Sequence, residues 1–142
     1  MISPPDDFNL WTQRQVEALR NNRFADLDTD ALIEEIEGMS KSDRRALKSH
    51  LIILMAHRLK LLVQPHYPNK ASWLRSIQNA QLAIDLILED SPSLAPLLPD
   101  YIQSGYPKAV SIARLETGLE GFPAECPFDM AELNRRIEDL KT

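Results

Sequence analysis

Apolar residues along this chain recur at intervals of three and four, and no segment alternates apolar and polar residues over the length of a strand. That spacing is typical of amphipathic helices. Eight of the ten prolines lie at or after Pro65, so residues 6–64 contain no proline that would interrupt a helix. The pattern predicts an all-α protein, a single-domain helical bundle of five to six helices that are mostly antiparallel neighbours.

Two helices are predicted in the first third of the chain. The first runs from about residue 8 to residue 21, with Asp6 or Asp7 as its N-cap and Trp11 as the large anchor of its apolar face. The second begins near Asp28 or Asp30, both of which can cap it. Its predicted buried stripe consists of Leu32, Ile33, Ile36 and Met39.

A polar run over residues 40–45 follows that stripe. Because Gly38 directly precedes this run, we expect a kink or brief break around residues 38–42. Helical spacing then resumes to about Val63, and this third segment is the predicted central helix of the bundle. Its wide apolar face is formed by Leu47, Leu51, Leu54, Met55, Leu59 and Leu62.

Prolines divide the second half of the chain. The turn over residues 64–68 ends the central helix, and Asn69 or Ser72 caps the next one, which runs to about Glu89. A turn this short makes the two flanking helices antiparallel neighbours. The inward face of the new helix is predicted to contain Trp73, Ile77, Ala80, Ile84, Ile87 and Leu88.

Beyond residue 91 we expect shorter elements. The prolines predict short helical pieces to Gly105, and then a helix that begins at Pro107 and ends at Thr117, with Gly118 as its C′ residue. A short terminal helix is predicted within residues 128–142, from about residue 129 to residue 140. Residues 1–7 are expected to form a flexible N-terminus.

Composition narrows the class of protein. With 142 residues, 44% hydrophobic and 26% charged, the chain can bury a core as one domain, residues 1–142. A net charge of −5 argues against a duplex DNA binder. The N-terminus does not resemble a signal peptide, and the longest apolar run, residues 51–56, is too short to span a membrane. With Cys126 as its only cysteine, the chain is expected to be soluble and cytoplasmic.

Six carboxylates crowd residues 26–37, and three of them are the candidates Glu34, Glu35 and Glu37. One interpretation is a cation or catalytic site that also uses His57. The other is charge that complements the dipole at a helix start, together with a favourable pair between Glu37 and Lys41. No recognised metal motif is present, so no metal ligand and no cofactor is predicted.

Histidine and cysteine spacing gives little support to catalysis. His50 and His57 are seven residues apart, about 10.5 Å along a helix, which is too far to chelate one ion easily. We expect each to be a hydrogen-bonded, half-buried histidine. Cys126 precedes the terminal helix, which could activate it mildly, but a buried and inert thiol is the expected state.

A basic run offers a different hypothesis. Arg44, Arg45 and Lys48 are the candidate nucleic-acid contacts. A recognition helix would gather such side chains on one face with a polar base-reading residue, and here they are spread around the helix. The spacing therefore makes nucleic acid an unfavoured partner.

Several different short motifs follow one another along the chain in a recognisable order. They occupy residues 32–37, 47–51, 57–60, 72–73, 91–94, 116–119 and 122–127. In their order and spacing, residues 8–133 resemble a bacterial family catalogued as domain of unknown function twenty-nine. The resemblance implies a small, all-helical, cytoplasmic protein with no established activity, and therefore no assigned catalytic residues.

The resemblance also directs attention to a candidate site and to one departure. The candidate site residues are Glu34, Glu35, Glu37, His57 and Trp73, which could equally form a structural signature. The family pattern has an arginine where this chain has Gln81, which places any charge role there in doubt.

The function favoured by these observations is a non-enzymatic protein-interaction or regulatory module. Its partner would be another protein or a second copy of the chain, forming a homo-oligomer. Two alternatives stay open: a metal-binding protein or hydrolytic enzyme that uses the glutamate cluster with His57, and a nucleic-acid-binding regulator that uses Arg44, Arg45 and Lys48.

Overall fold

The structure is a computed structural model that describes residues 7–141. The candidate cap Asp6 and most of the predicted flexible N-terminus, residues 1–6, lie outside the described residues. Within 7–141 the protein has six α-helices, two 3₁₀ segments and no strand, so the prediction of an all-α bundle is confirmed. The helices are α1 (Phe8–Arg20), α2 (Thr29–Val63), α3 (Lys70–Asp90), α4 (Leu98–Thr117), α5 (Met130–Leu133) and α6 (Ile137–Leu140), and the 3₁₀ segments are Phe24–Asp26 and Pro92–Leu97.

The chain divides into two compact units, Met1–Ser42 and Asp43–Thr142. The boundary falls within α2. The one-domain organisation stays a prediction, and the two units are described separately below.

In the N-terminal unit, two aspartates begin the two helices as their positions predict. The Asp7 carboxylate accepts a hydrogen bond from the Leu10 N–H at 2.9 Å, and Asp28 accepts one from the Ala31 N–H at 3.2 Å. Side-chain acceptors at these positions satisfy amide groups that have no partner inside the helix. The buried Gln15 side chain of α1 accepts from the Asp28 N–H at 2.9 Å, which ties α1 to the start of α2.

Two predictions for α2 are wrong. Residues 38–42 are helical, so the expected interruption is absent. One glycine costs a helix only about 1 kcal/mol, and the polar residues that follow Gly38 are compatible with a helix. The polar run therefore marks a segment of α2 that is exposed to solvent, and the helix does not end there. The predicted buried stripe is also wrong, because Ile33, Ile36 and Met39 are 53%, 63% and 68% exposed.

The C-terminal unit contains a hydrophobic core built around the second half of α2. Five of the six residues predicted for the central apolar face are fully buried, whereas Leu62 is exposed and that part of the prediction is wrong. From α3, Ile77, Ala80 and Ile84 are buried as predicted, and Trp73, Ile87 and Leu88 pack against the core while partly exposed. The central residues from α2 are Leu47, Leu51, Leu54, Met55 and Leu59.

Helix α4 begins earlier than its prolines predict. It starts at Leu98, with Pro99 in the first turn, where the missing N–H costs nothing, and it continues through Pro107. An internal proline costs about 3 kcal/mol, but here buried residues on both sides, Ile102 and Ala109, hold the helix against the core. Its predicted end at Gly118 is confirmed, and this glycine has the left-handed φ of 69° that favours glycine.

The predicted terminal helix is instead two short helices, α5 and α6. Asp129 caps α5 by accepting from the Glu132 N–H at 2.8 Å. The Gln81 amide of α3 donates to the carbonyls of Leu133 and Arg135 at 2.9 and 2.8 Å. In one continuous helix these two carbonyls would accept hydrogen bonds from backbone N–H groups of the next turn. Here they accept from Gln81 instead, at the point where the chain leaves α5 and before α6 begins.

No helix in the described part of the chain combines the length and the apolar composition that crossing a membrane requires.

Candidate functional site

A buried lysine links three helices of the C-terminal unit. Lys60 of α2 is 4% exposed, and its Nζ donates to both carboxylate oxygens of Glu116 on α4 at 3.2 and 3.1 Å. The same Nζ lies 5.8 Å from the ring centroid of Trp73 on α3. Tyr67, in the turn before α3, stacks on that ring at 4.5 Å. A buried ammonium needs such compensation, since it has left water.

His57 lies one turn before Lys60 on α2 and is half-buried. Burial, and next the positive charge of Lys60, lower its pKa below the ordinary 6.5, and the Glu116 carboxylate opposes them. The expected hydrogen bond is absent for one nitrogen, because the buried Nδ1 finds no acceptor or donor among residues 7–141. The predicted site residues His57 and Trp73 thus both neighbour Lys60.

These groups form a neutralised cluster. The ammonium of Lys60 is matched by a carboxylate and an aromatic face, and the lowered pKa favours the uncharged form of His57. A general acid or base must instead be directed at a substrate atom. The geometry therefore supports a structural role that joins α2, α3 and α4.

A second buried cation, Arg58, holds the C-terminal segment. Its guanidinium donates to the Glu132 backbone carbonyl and to Glu132 Oε1 at 2.8 Å, and it lies 5.3 Å from the Phe128 ring centroid. The side-chain hydrogen bond from Arg58, supported by one from Arg135, lowers the pKa of the Glu132 carboxyl, and burial opposes it. A cavity of about 270 Å³ lies beside Arg58 and Arg135. Arg58 and Arg135 share the Glu132 carboxylate, and Arg135 also donates to the Asp139 backbone carbonyl, so both guanidiniums are held in place by the C-terminal segment.

Sequence reasoning missed the role of Gln81, whose amide bridges α3 to the two carbonyls near the end of α5. The only signal in the sequence was the departure of Gln81 from the family pattern.

The thiol of Cys126 donates to the Phe128 carbonyl at 3.6 Å, and burial raises the pKa of this thiol. A raised pKa lowers the thiolate fraction, as expected for an inert thiol, but Cys126 is only partly buried and not fully buried as predicted.

The other predicted site residues lie in the N-terminal unit. Glu34 and Glu37 are exposed and Glu35 is partly exposed. Within residues 7–141, no three His, Cys, Asp or Glu side chains are grouped so that they could hold a metal ion. The expected pair between Glu37 and Lys41 is not among the ion pairs of the described chain. A site that combines these carboxylates with His57 stays a prediction.

The candidate nucleic-acid contacts differ in their surroundings. Arg45 is exposed and Arg44 is partly exposed. Lys48 is also partly exposed, and its Nζ lies 5.9 Å from the ring centroid of Tyr101. Nucleic-acid binding through this group stays a prediction.

The N-terminal unit instead presents an exposed apolar surface on α2. Ile33, Ile36 and Met39 follow one another in steps of three residues, so their side chains share about one third of the helix circumference. Leu32 lies within the same arc and is partly exposed. We call these four residues the α2 stripe.

The family of the chain follows from a comparison of its whole length. Residues 5–136 match the model of the family described as domain of unknown function DUF29. The chain belongs to the DUF29 family. No curated protein and no solved structure gives a significant match to it. The family description assigns no activity to this DUF29 chain. Any function must therefore be argued from the described residues.

Proposed function

We propose that this protein acts by binding another protein, and that the α2 stripe is its contact surface. The observation that carries the proposal is the exposure of Ile33, Ile36 and Met39 on consecutive turns of one helix. Regularly spaced apolar side chains are how a helix face is recognised by a partner. Isolated exposed leucines are ordinary, but a contiguous stripe is not.

The distribution of exposed apolar residues supports this location. The described chain has fourteen large exposed hydrophobic residues, and eight of them lie in the N-terminal unit, although that unit is the smaller one. They are Phe8, Leu10, Val16, Leu19, Phe24, Ile33, Ile36 and Met39.

The energy available from such a contact is useful in size. Burying a large aliphatic side chain contributes about 1.5–3 kcal/mol, and roughly half of that where the residue is already half covered. Three such residues would contribute a few kcal/mol before the entropy of association is subtracted. We therefore expect a moderate affinity that depends on each member of the α2 stripe.

Site-specific photo-crosslinking tests this proposal. A photoreactive residue at position 36 should give a discrete protein adduct in native cells, identifiable by mass spectrometry. The same residue at position 86 is the control, because Leu86 is exposed at 52% on α3, in the C-terminal unit. The adduct from position 36 should weaken when Ile33 is replaced by serine. Identical adducts from both positions, or none from position 36, would refute the proposal.

A further inference from the structure

The α2 stripe lies between carboxylates. On the side of Ile33, the side chains of Asp30, Glu34 and Glu37 fall within an arc of about 60°. On the opposite side of the stripe lies Glu35. Residues 26–37 contain no lysine or arginine, so no basic side chain of this segment offsets them.

These carboxylates are also free of ion pairs. Within the chain that the structure describes, Asp30, Glu34, Glu35 and Glu37 are absent from every salt bridge. The nearby acids differ, since Asp26 lies 3.7 Å from Arg23 and Asp28 caps α2. The margins of the stripe over residues 30–37 therefore carry negative charge that is not held in an ion pair, and the next basic residue of α2 is Lys41.

This charge pattern disfavours a second copy as the partner. If two α2 helices packed antiparallel across Ile36, Glu37 of one would lie near Glu37 of the other. If they packed parallel, Glu37 of one would approach Glu35 of the other. Either arrangement brings like charges together at the edge of the contact, which is destabilising.

We propose that the α2 stripe binds an amphipathic helix of a different protein, one whose apolar face is flanked by lysine or arginine. This inference rests on the proposed function and names the chemistry of the partner. The apolar contacts would supply most of the affinity. The flanking charges would supply selectivity, because an exposed ion pair adds little affinity whereas like charges brought together are rejected.

Two synthetic peptides of about five helical turns test the inference on the full chain. Both have the same leucine stripe, and they differ only in lysine or glutamate flanks. Fluorescence anisotropy should show the lysine peptide binding at least tenfold more tightly, with a difference that shrinks as salt is added. Ile36→Ser should weaken binding of the lysine peptide about fivefold or more, whereas Leu82→Ser on α3 should leave it unchanged.

A charge-matched control separates local from overall attraction, since the chain as a whole carries −5. Neutralising the flank with Glu34→Gln and Glu37→Gln should reduce the preference for lysine to below threefold. Neutralising two exposed acids of α3 with Asp85→Asn and Glu89→Gln should leave the preference intact. Equal losses in the two double variants would overturn the inference, because the attraction would then follow net charge.

Other outcomes separate this inference from the proposed function. If sedimentation shows a dimer that Ile36→Ser abolishes, the partner is a second copy, and the inference fails while protein binding stands. If the in-cell adduct persists but the two peptides bind equally, only the partner chemistry is wrong. If the adduct does not respond to Ile33→Ser and peptide binding does not respond to Ile36→Ser, both fail.

Discussion

At the residue scale, the two members of the Lys60–Glu116 pair differ in exposure. The Lys60 side chain is 5% exposed and that of Glu116 is 44% exposed. Breaking a pair is costly chiefly for the charge that stays buried. Removing Glu116, which leaves Lys60 buried, should therefore reduce stability more than removing Lys60.

Glu116→Ala should lower the free energy of unfolding by about 1.5–3 kcal/mol, because it leaves a buried ammonium without a charged acceptor. Lys60→Met should cost less than about 1 kcal/mol, because methionine keeps apolar contact and the remaining carboxylate can hydrate. Urea denaturation of both variants measures the difference. A larger loss for Lys60→Met than for Glu116→Ala would contradict this account.

His57 should make stability depend on pH just below neutrality. Its folded pKa lies below 6.5, so the unfolded chain takes up the proton more readily. The contribution is full above pH 6.5 and is lost as the pH falls from 6.5 through the lower pKa of the folded state. From about pH 7.5 to about pH 5.5, the wild-type protein should lose more stability than His57→Gln. Parallel pH curves for the two proteins would contradict the prediction.

At the scale of the element, two helical glycines occupy opposite environments. A Cβ added at Gly38 of α2 would meet no atom within 4 Å. A Cβ added at Gly105 of α4 would lie 2.9 Å from Ile52 Cγ1 and 3.4 Å from Met55 Cε on α2. The same substitution should therefore have opposite effects on stability at the two positions.

Gly38→Ala should stabilise the protein by about 0.5–1 kcal/mol, since alanine restricts the unfolded chain and favours helix. Gly105→Ala gains the same helix preference but forces side chains apart, and overpacking costs about 1–3 kcal/mol, so the net effect should be destabilising. Thermal denaturation of the two variants is the measurement. The second variant should recover when Ile52→Ala removes the close contact, and a stabilised Gly105→Ala would refute the packing argument.

At the scale of the whole molecule, the hydrophobic core cluster belongs to the C-terminal unit. Every buried residue of that cluster lies between Leu47 and Leu133. The buried apolar residues of the N-terminal unit are Trp11, Ala18 and Ala31. Burial of apolar surface is the main favourable term in folding. The C-terminal unit should therefore fold on its own, whereas the N-terminal unit should not.

A fragment of residues 43–142 should unfold cooperatively on its own, whereas a fragment of residues 1–42 should show little helix in isolation. Circular dichroism during heating measures both. A broad transition without cooperativity for residues 43–142 would contradict the prediction. A stable helical signal from residues 1–42 would show that local preferences suffice there.

Local chemistry in the sequence was enough to determine the all-α class and several helix ends. Asp7, Asp28 and Gly118 act where their side chains or φ preferences predict, because capping depends on a few adjacent backbone groups. The apolar spacing of the second half of α2 likewise identified most of the core, since helical periodicity alone brings those residues to one face.

Tertiary structure decided everything that depends on what covers a surface. Ile36 and Leu59 have similar helical patterns around them, yet one is exposed and the other fully buried. Gln81 reaches carbonyls 52 and 54 residues away, and Lys60 finds its carboxylate 56 residues away. Spacing along the chain specifies which side chains share a face. It does not specify whether another element packs there, because packing depends on contacts between segments far apart in sequence.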